Sequence, residues 1–239
     1  MKHSSILTLL LSLNLVVTPS LADTSAQRQV QNALKVASKA ERLPKARSVV
    51  VFGQSEAVVI TDNTRWVVKG QLYDMWQNVE VDNALELASA AKLLPINTLK
   101  TNTTDLVDAR MRPEKELIVT VFLDPFEKKS ANVVKLLNTY AKKYQVRYIY
   151  TAMSQKHIEP FFFFACEING KSAESISQLI QEQRFERTDK SCSQTHAMNS
   201  FGLTQFLHIN QSPVLIAPND VYHVGLPPKL MEWLKENEG

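Results

Sequence analysis

One stretch in the second half of the chain constrains the fold more than any other feature of the sequence. Residues 117–123 form a continuous apolar run typical of a buried strand, residues 131–144 carry apolar side chains at helical spacing, and residues 146–150 form a second β-rich run. Two strands joined by a helix in this order predict a βαβ unit with parallel strands and a buried sheet. With 239 residues, 44% of them apolar, the chain is long enough for this core and a second, smaller domain.

The rest of the second half completes a predicted α/β domain over residues 116–239. The further elements are helices at 159–180 and 201–207, a hairpin at 214–217 and 221–224, and a final helix that begins at Pro228. These helical stretches form an insertion between the second strand and the hairpin. The phenylalanine run at residues 161–164 is interpreted as core or interface packing, because aromatic side chains dominate buried area.

The first 22 residues have the pattern of a secretory signal peptide. Lys2 gives a positive start, residues 6–17 are mostly apolar, and Ser20 and Ala22 place small residues before a cleavage site. The apolar run is shorter than the roughly 20 residues that a membrane-spanning helix needs. We therefore expect an exported protein without stable membrane insertion, in a compartment where a cysteine pair forms a disulfide.

The segment after this signal predicts a small domain over residues 23–79. Residues 24–43 carry apolar side chains at helical spacing, and three short β-rich runs follow at 48–52, 57–61 and 66–69. A sheet of this size is marginal alone and has exposed edges, so we expect it to pair with a second copy. The basic side chains of the helix are interpreted as a solvated face, and with a formal net charge of only +3 we expect no nucleic-acid partner.

A linker region is predicted over residues 80–115. Residues 81–94 have apolar side chains at helical spacing, and residues 96–115 are rich in Asn, Thr and Asp without a clear period. The histidines after the signal peptide show no metal-ligand spacing, and the sequence has no Gly-rich phosphate loop. We therefore expect no metal and no cofactor.

Several stretches carry a resemblance to a known family. They are residues 60–62 with 68–74, then 121–124, 146–148 and 225–231. They are similar to the dimerisation segment, the strand before the active site, the next strand and the closing turn of the periplasmic disulfide isomerases of the DsbC and DsbG family. The resemblance implies an α+β N-terminal dimerisation domain, a linker helix and a C-terminal α/β thioredoxin-like domain with a helical insertion. It also implies a homodimer in the periplasm.

The chain departs from this family at the active-site turn. Family members carry Cys-X-X-Cys there, whose first thiolate attacks substrate disulfides. The same four positions here hold Glu127, Lys128, Lys129 and Ser130, and none of these side chains can form a mixed disulfide. Locally, Asp124 precedes a proline and stands three residues before Glu127, which predicts a capped helix start.

Cys166 and Cys192 are the two cysteines of the chain, enough for one bridge but not for a bridge and a dithiol active site. They resemble the family's structural disulfide, which implies that they are bonded to each other. A redox pair relocated to these positions is the alternative, and it requires an exposed, activated thiolate.

Ser212 and Pro213 match the family's Thr-Pro before the fourth strand of the domain. The resemblance implies a cis peptide bond beside the active-site turn, where the backbone can pair with an extended polypeptide. Ser212 and Pro213 are therefore candidates for a peptide groove. The alternative is that Pro213 only preserves the fold.

Together these features predict an exported, redox-inactive, thioredoxin-like homodimer that acts as a chaperone or assembly factor for unfolded or partly folded exported polypeptides. One alternative is a thiol–disulfide isomerase or oxidoreductase that uses Cys166 and Cys192 or works with an active Dsb-type paralogue. Another is a structural component of a secretion or conjugation apparatus. The missing cysteines at the turn favour a protein that is not an enzyme.

Overall fold

The computed structural model describes residues 28, 40–43, 46–53, 56–62, 65–96, 105–185, 192 and 194–239. The chain divides into two compact units, with the boundary between Leu72 and Tyr73. The predicted signal peptide and most of the predicted first helix lie outside the described residues. Among the helices of the described ranges, none has the length and hydropathy of a membrane-spanning segment.

The first unit contains a four-stranded antiparallel sheet. Its strands are β1 (Ala40–Arg42), β2 (Val49–Phe52), β3 (Ala57–Ile60) and β4 (Val67–Gly70), which pair in chain order. The buried side chains come from β2 and β3, whose Val-rich runs fit a pleated, half-buried surface. β4 is an edge strand with exposed side chains. The three strands predicted in this region are confirmed.

The predicted helix at residues 24–43 is wrong at its C-terminal end. Ala40–Arg42 form β1, in which Glu41 lies opposite Val50 of β2. Apolar spacing in this segment favours a helix. In the folded protein the backbone of Ala40–Arg42 forms hydrogen bonds with the buried strand β2. A local sequence pattern does not reveal these partners, and the pairing overrides helix propensity.

The second unit begins with a hairpin and a short helix. β5 (Tyr73–Asp74) pairs with β6 (Val79–Glu80), and α1 (Ala84–Ala90) follows. Asn83 caps α1, since its side chain accepts hydrogen bonds from two N–H groups of the first turn. The predicted second helix is confirmed with shorter bounds.

A five-stranded sheet forms the centre of the second unit. Its strands are β7 (Asp108–Met111), β8 (Ile118–Leu123), β9 (Gln145–Tyr150), β10 (Val214–Ile216) and β11 (Tyr222–Val224). The order across the sheet is β11-β10-β8-β9-β7. β8 and β9 are parallel and joined by α2 (Ser130–Tyr140), and the other neighbours are antiparallel. The predicted βαβ unit and terminal hairpin are confirmed.

Helices cover both faces of this sheet. They include α3 (Gln155–Ile168), α4 (Ala173–Glu182) and α5 (Thr195–Phe206), which lie between β9 and β10, and the final helix α6 (Leu230–Glu236). Buried side chains of α2, α3 and α4 form one core with Val121 and Tyr148, and Leu203 of α5 lies in a second core with Phe122 and Ile149. This element order and sheet are those of a thioredoxin-like domain with a helical insertion, as predicted.

The edge strand β7 corrects the predicted linker at residues 96–115. Asp108–Met111 pairs antiparallel with β9. Its sequence has no apolar run, so the strand depends on β9 and not on a local pattern. At this edge Nε of Arg147 lies 2.8 Å from Oδ2 of Asp108, and the two side chains are 8% and 20% exposed.

We expect Asp108→Ala to lower the free energy of unfolding by about 2 kcal/mol, because the change removes the carboxylate from a nearly buried guanidinium. Urea denaturation measures this loss. Glu114→Ala is the matched control, since Glu114 lies on the surface beside Lys115 and its loss costs less than about 0.5 kcal/mol. Equal stability of the two variants would contradict a structural role for the Asp108–Arg147 pair.

Candidate functional site

The turn between β8 and α2 and the first residue of α2 contain Glu127 to Ser130, the positions singled out in the sequence. The predicted capped helix start at Asp124 is wrong, because α2 begins at Ser130, with Lys129 at the N-cap and no side-chain cap hydrogen bond. Residues 125–129 form turns instead. The Asp124 side chain accepts a hydrogen bond from the nearby N–H of Phe126, but no helix follows until Ser130, so the local pattern forms a turn and not a helix start.

Asp124 is fully buried at the end of β8. Its carboxylate accepts hydrogen bonds from the N–H of Phe126 at 3.0 Å and from the N–H of Met153 at 2.8 Å. The same carboxylate lies 2.7 Å from Nδ1 of His157 on α3. A buried carboxylate needs such partners to offset its desolvation. Asp124 therefore ties the turn to the loop after β9 and to the first turns of α3.

Aromatic packing also holds this turn. The Phe126 ring contacts His157 at a centroid distance of 5.6 Å, Phe164 at 6.0 Å and Phe185 at 4.9 Å. Nε2 of Gln183, just after α4, donates to the carbonyl of Pro125 at 3.1 Å. The turn is thus held by α3 and by the segment that follows α4.

Two buried serines satisfy the backbone of Asp124. The Asp124 N–H donates to Oγ of Ser212 at 2.9 Å, and Oγ of Ser130 donates to the Asp124 carbonyl at 2.5 Å. The structure therefore brings together Ser130 and Ser212, two residues singled out in the sequence. Both hydroxyl groups are engaged within the protein, so neither is available as a nucleophile.

The peptide bond between Ser212 and Pro213 is cis, as the resemblance implied. Pro213 is buried, and its carbonyl accepts a hydrogen bond from the N–H of Gly225 at 2.7 Å. This bond lies next to the Asp124 turn through Ser212. A role of Ser212 and Pro213 in peptide binding stays a prediction.

The tip of the turn carries only charged side chains. Lys128 and Lys129 are exposed, and Nζ of Lys129 lies 3.3 Å from Oε2 of Glu127. An exposed pair of this kind contributes little to stability. The tip has neither a thiol nor a buried nucleophile, so dithiol exchange has no reacting group at this position.

Cys166 and Cys192 are bonded to each other, with Cα atoms 5.6 Å apart, and the predicted pairing is confirmed. Cys166 lies in the last turn of α3, away from the turn at Asp124 in sequence. The disulfide forms part of the wall of an open cavity of about 290 Å³, together with Ile158, Phe162 and Phe163. Among the described residues no group of three or more His, Cys, Asp or Glu is arranged to hold a metal ion.

His157 is the residue of this site that the sequence analysis missed. Its contact with Asp124 spans 33 positions, so no short motif contains both side chains. The available signal was weak: a polar residue near the start of a helix that follows a central strand of an α/β sheet. Sequence spacing gave no reason to prefer His157 to the other histidines.

Two tyrosines of β9 lie behind the site in the core. Burial raises the pKa of Tyr148 and of Tyr150 above the ordinary value for tyrosine. The Tyr148 hydroxyl donates to Oδ1 of Asn138 at 2.9 Å, and the two tyrosine rings stack at 6.1 Å. Both phenols stay protonated at neutral pH, so their contribution is packing and not acid–base chemistry.

No protein-family model and no curated protein matches this chain. Among solved structures, a disulfide interchange protein from Neisseria gonorrhoeae is similar with 18% sequence identity and a TM-score of 0.47, covering 55% of this chain and 95% of that one. The thiol-disulfide exchange protein alpha-DsbA2 from Wolbachia pipientis has 15% identity and a TM-score of 0.43, covering 59% and 92%. DsbG from Helicobacter pylori has 11% identity and a TM-score of 0.38, covering 79% and 97%. The thioredoxin-like fold of the second unit rests on its own sheet order and connections.

Proposed function

We propose that the protein is an exported periplasmic homodimer that holds unfolded or partly folded exported polypeptides, as a chaperone or assembly factor, without dithiol chemistry. The observation that carries this proposal is the turn after β8. Glu127 and Ser130 stand where dithiol proteins of this fold carry cysteines, and the turn is locked by buried contacts of Asp124. A turn without thiols cannot carry out dithiol exchange, which favours a binding function over thiol chemistry at this position.

The first unit supports the dimer. β4 is an edge strand of its sheet; Val68 on it is 61% exposed, and Trp66, just before it, is 58% exposed. An exposed apolar edge strand is a template for pairing with another chain. A dimer joined at this edge contains two thioredoxin-like domains that can each bind a polypeptide.

The Val68→Lys variant tests the dimer and the holding function together. A lysine on the edge strand opposes pairing, so we expect the dimer dissociation constant to rise about tenfold or more. We also expect weaker suppression of the aggregation of a heat-unfolded globular enzyme. Analytical ultracentrifugation and light scattering measure the two effects. Met231→Lys, an exposed apolar residue of α6, is the matched control and leaves both unchanged.

If the wild-type protein does not slow this aggregation, the proposed holding function is wrong. Thiol–disulfide interchange is the competing function, since Cys166 and Cys192 line an open cavity. It predicts that the wild-type protein accelerates the reduction of insulin by dithiothreitol, and that Cys166→Ala abolishes this acceleration. The proposed function predicts no acceleration with either protein.

A further inference from the structure

We propose that an apolar, acid-rimmed surface of the second unit binds client segments that carry Lys or Arg beside large apolar side chains. This surface, here called the hairpin surface, consists of β5, β6, the turn between them and the end of α5. The proposal rests on the holding function and names the class of polypeptide that is held.

The hairpin surface exposes several large apolar side chains. Met75 is 84% exposed and Phe206 is 57% exposed, and Tyr73 and Val79 are also exposed. The Trp76 ring lies 6.3 Å from the Phe206 ring, which joins the hairpin to α5 within the same unit. Grouped exposed aromatic and methionine side chains are typical of protein interaction sites.

Hydrogen bonds and packing within the second unit hold the hairpin surface in the arrangement seen here. The Asp74 carboxylate accepts hydrogen bonds from the N–H of Trp76 at 2.9 Å and from Nε2 of Gln77 at 2.8 Å. The Tyr73 hydroxyl donates to Oδ1 of Asn78 at 2.6 Å across the hairpin. Trp76 packs against the second core of the domain. A preorganised surface loses little conformational entropy on binding.

The chain segment that contains the hairpin and α1 carries charges of one sign. Residues 70–91 contain four acidic residues and no lysine or arginine, although the whole chain has a formal net charge of +3. Glu80, Asp82 and Glu86 are exposed, and no ion pair to any of the four is found among the described residues. Their field favours a cationic partner and disfavours an acidic one.

Charge and apolarity together select the partner. A folded basic protein hides its large apolar side chains, whereas an unfolded exported polypeptide presents them beside lysine and arginine. Aromatic and methionine side chains of the hairpin surface can then bury apolar area, and the acidic rim can pair with the neighbouring cations. The expected ligand is an extended segment with both features.

Three labelled 12-residue peptides test this selection with the full-length protein. One carries phenylalanine and lysine, the second has glutamate in place of lysine, and the third has serine in place of phenylalanine. Fluorescence anisotropy should show that the first peptide binds about tenfold tighter than either of the others. Its advantage over the glutamate peptide should disappear near 1 M salt, where the Debye length is about 3 Å.

Variants of the chain locate the site. Met75→Lys and Glu80→Lys should each weaken binding of the phenylalanine and lysine peptide about tenfold, and Met231→Lys on α6 should leave it unchanged. Met75 and Glu80 lie at the exposed hairpin, so both variants are expected to fold, and an unchanged circular dichroism spectrum checks this.

Equal affinity for the three peptides, or normal binding by both hairpin variants, would overturn the proposal. A change in oligomeric state with unchanged peptide affinity would assign the hairpin surface to self-association and also overturn it. Suppression of aggregation that is insensitive to Met75→Lys would reject this site while the holding function stands. If the wild-type protein itself does not suppress aggregation, the holding function is rejected instead.

Discussion

Replacement of Asp124 with alanine is expected to lower the free energy of unfolding of the second unit by about 3–5 kcal/mol. The fully buried carboxylate accepts from the N–H groups of Phe126 and Met153 and contacts Nδ1 of His157. Alanine leaves these three groups without their acceptor, and the desolvation of the two backbone donors is no longer offset. The loss is large because one side chain joins a turn, a loop and a helix.

The measurement needs a signal from the second unit alone. In a Trp66→Phe background, the remaining tryptophans, Trp76 and Trp233, both belong to that unit, so their fluorescence reports its urea unfolding. Asp124→Asn is the control that keeps one acceptor oxygen, and its expected loss is about 1–3 kcal/mol. A loss below about 1 kcal/mol for Asp124→Ala would mean that the turn is held by the packing of Phe126 and not by the carboxylate.

The locked turn bears on function as well as on stability. In a dithiol protein the corresponding turn must present a thiolate to a substrate, so it stays partly accessible. Here Ser130 is buried against the Asp124 backbone and Phe126 is packed among aromatic rings. The turn is part of the framework of the domain and presents no thiolate to a substrate.

The central domain could be predicted from the sequence because its signals are local. A continuous apolar run at β8, helical spacing in α2 and a β-rich run at β9 each specify their own element, and their order specifies a parallel sheet. β1 and β7 carry no such signal. Each is a short edge strand whose formation depends on pairing with a buried neighbour, β2 for β1 and β9 for β7.

The parts of the candidate site that have a local sequence signal were predicted, and the parts that depend on distant contacts were not. Resemblance located the turn, the cis proline and the disulfide, all of which lie in recognisable stretches of sequence. The capping pattern at Asp124 is equally clear in sequence, but its carboxylate is used by Met153 and His157, which are 29 and 33 positions away. A window of a few residues cannot show which acceptor a buried N–H finds once the chain has folded.

Removal of the disulfide in the Cys166→Ala, Cys192→Ala double variant is expected to lower the free energy of unfolding by about 3–4 kcal/mol. The bond closes a loop between residues 26 positions apart, so its main effect is to restrict the unfolded chain. The loss appears as a lower urea midpoint of the second unit in the Trp66→Phe background. The predicted cost is comparable to that of Asp124→Ala, although no buried hydrogen bond is lost.

Comparison with the reduced protein separates the crosslink from its side chains. If chain entropy is the cause, the wild-type protein with its disulfide reduced should unfold at the same urea concentration as the double variant, because both lack the crosslink. If the packing of the two half-buried sulfurs were the cause, the reduced protein would keep most of its stability and only the double variant would lose it. Equal stability of all three forms would contradict a structural role and would favour a redox role for Cys166 and Cys192, since an exchangeable pair need not stabilise the fold.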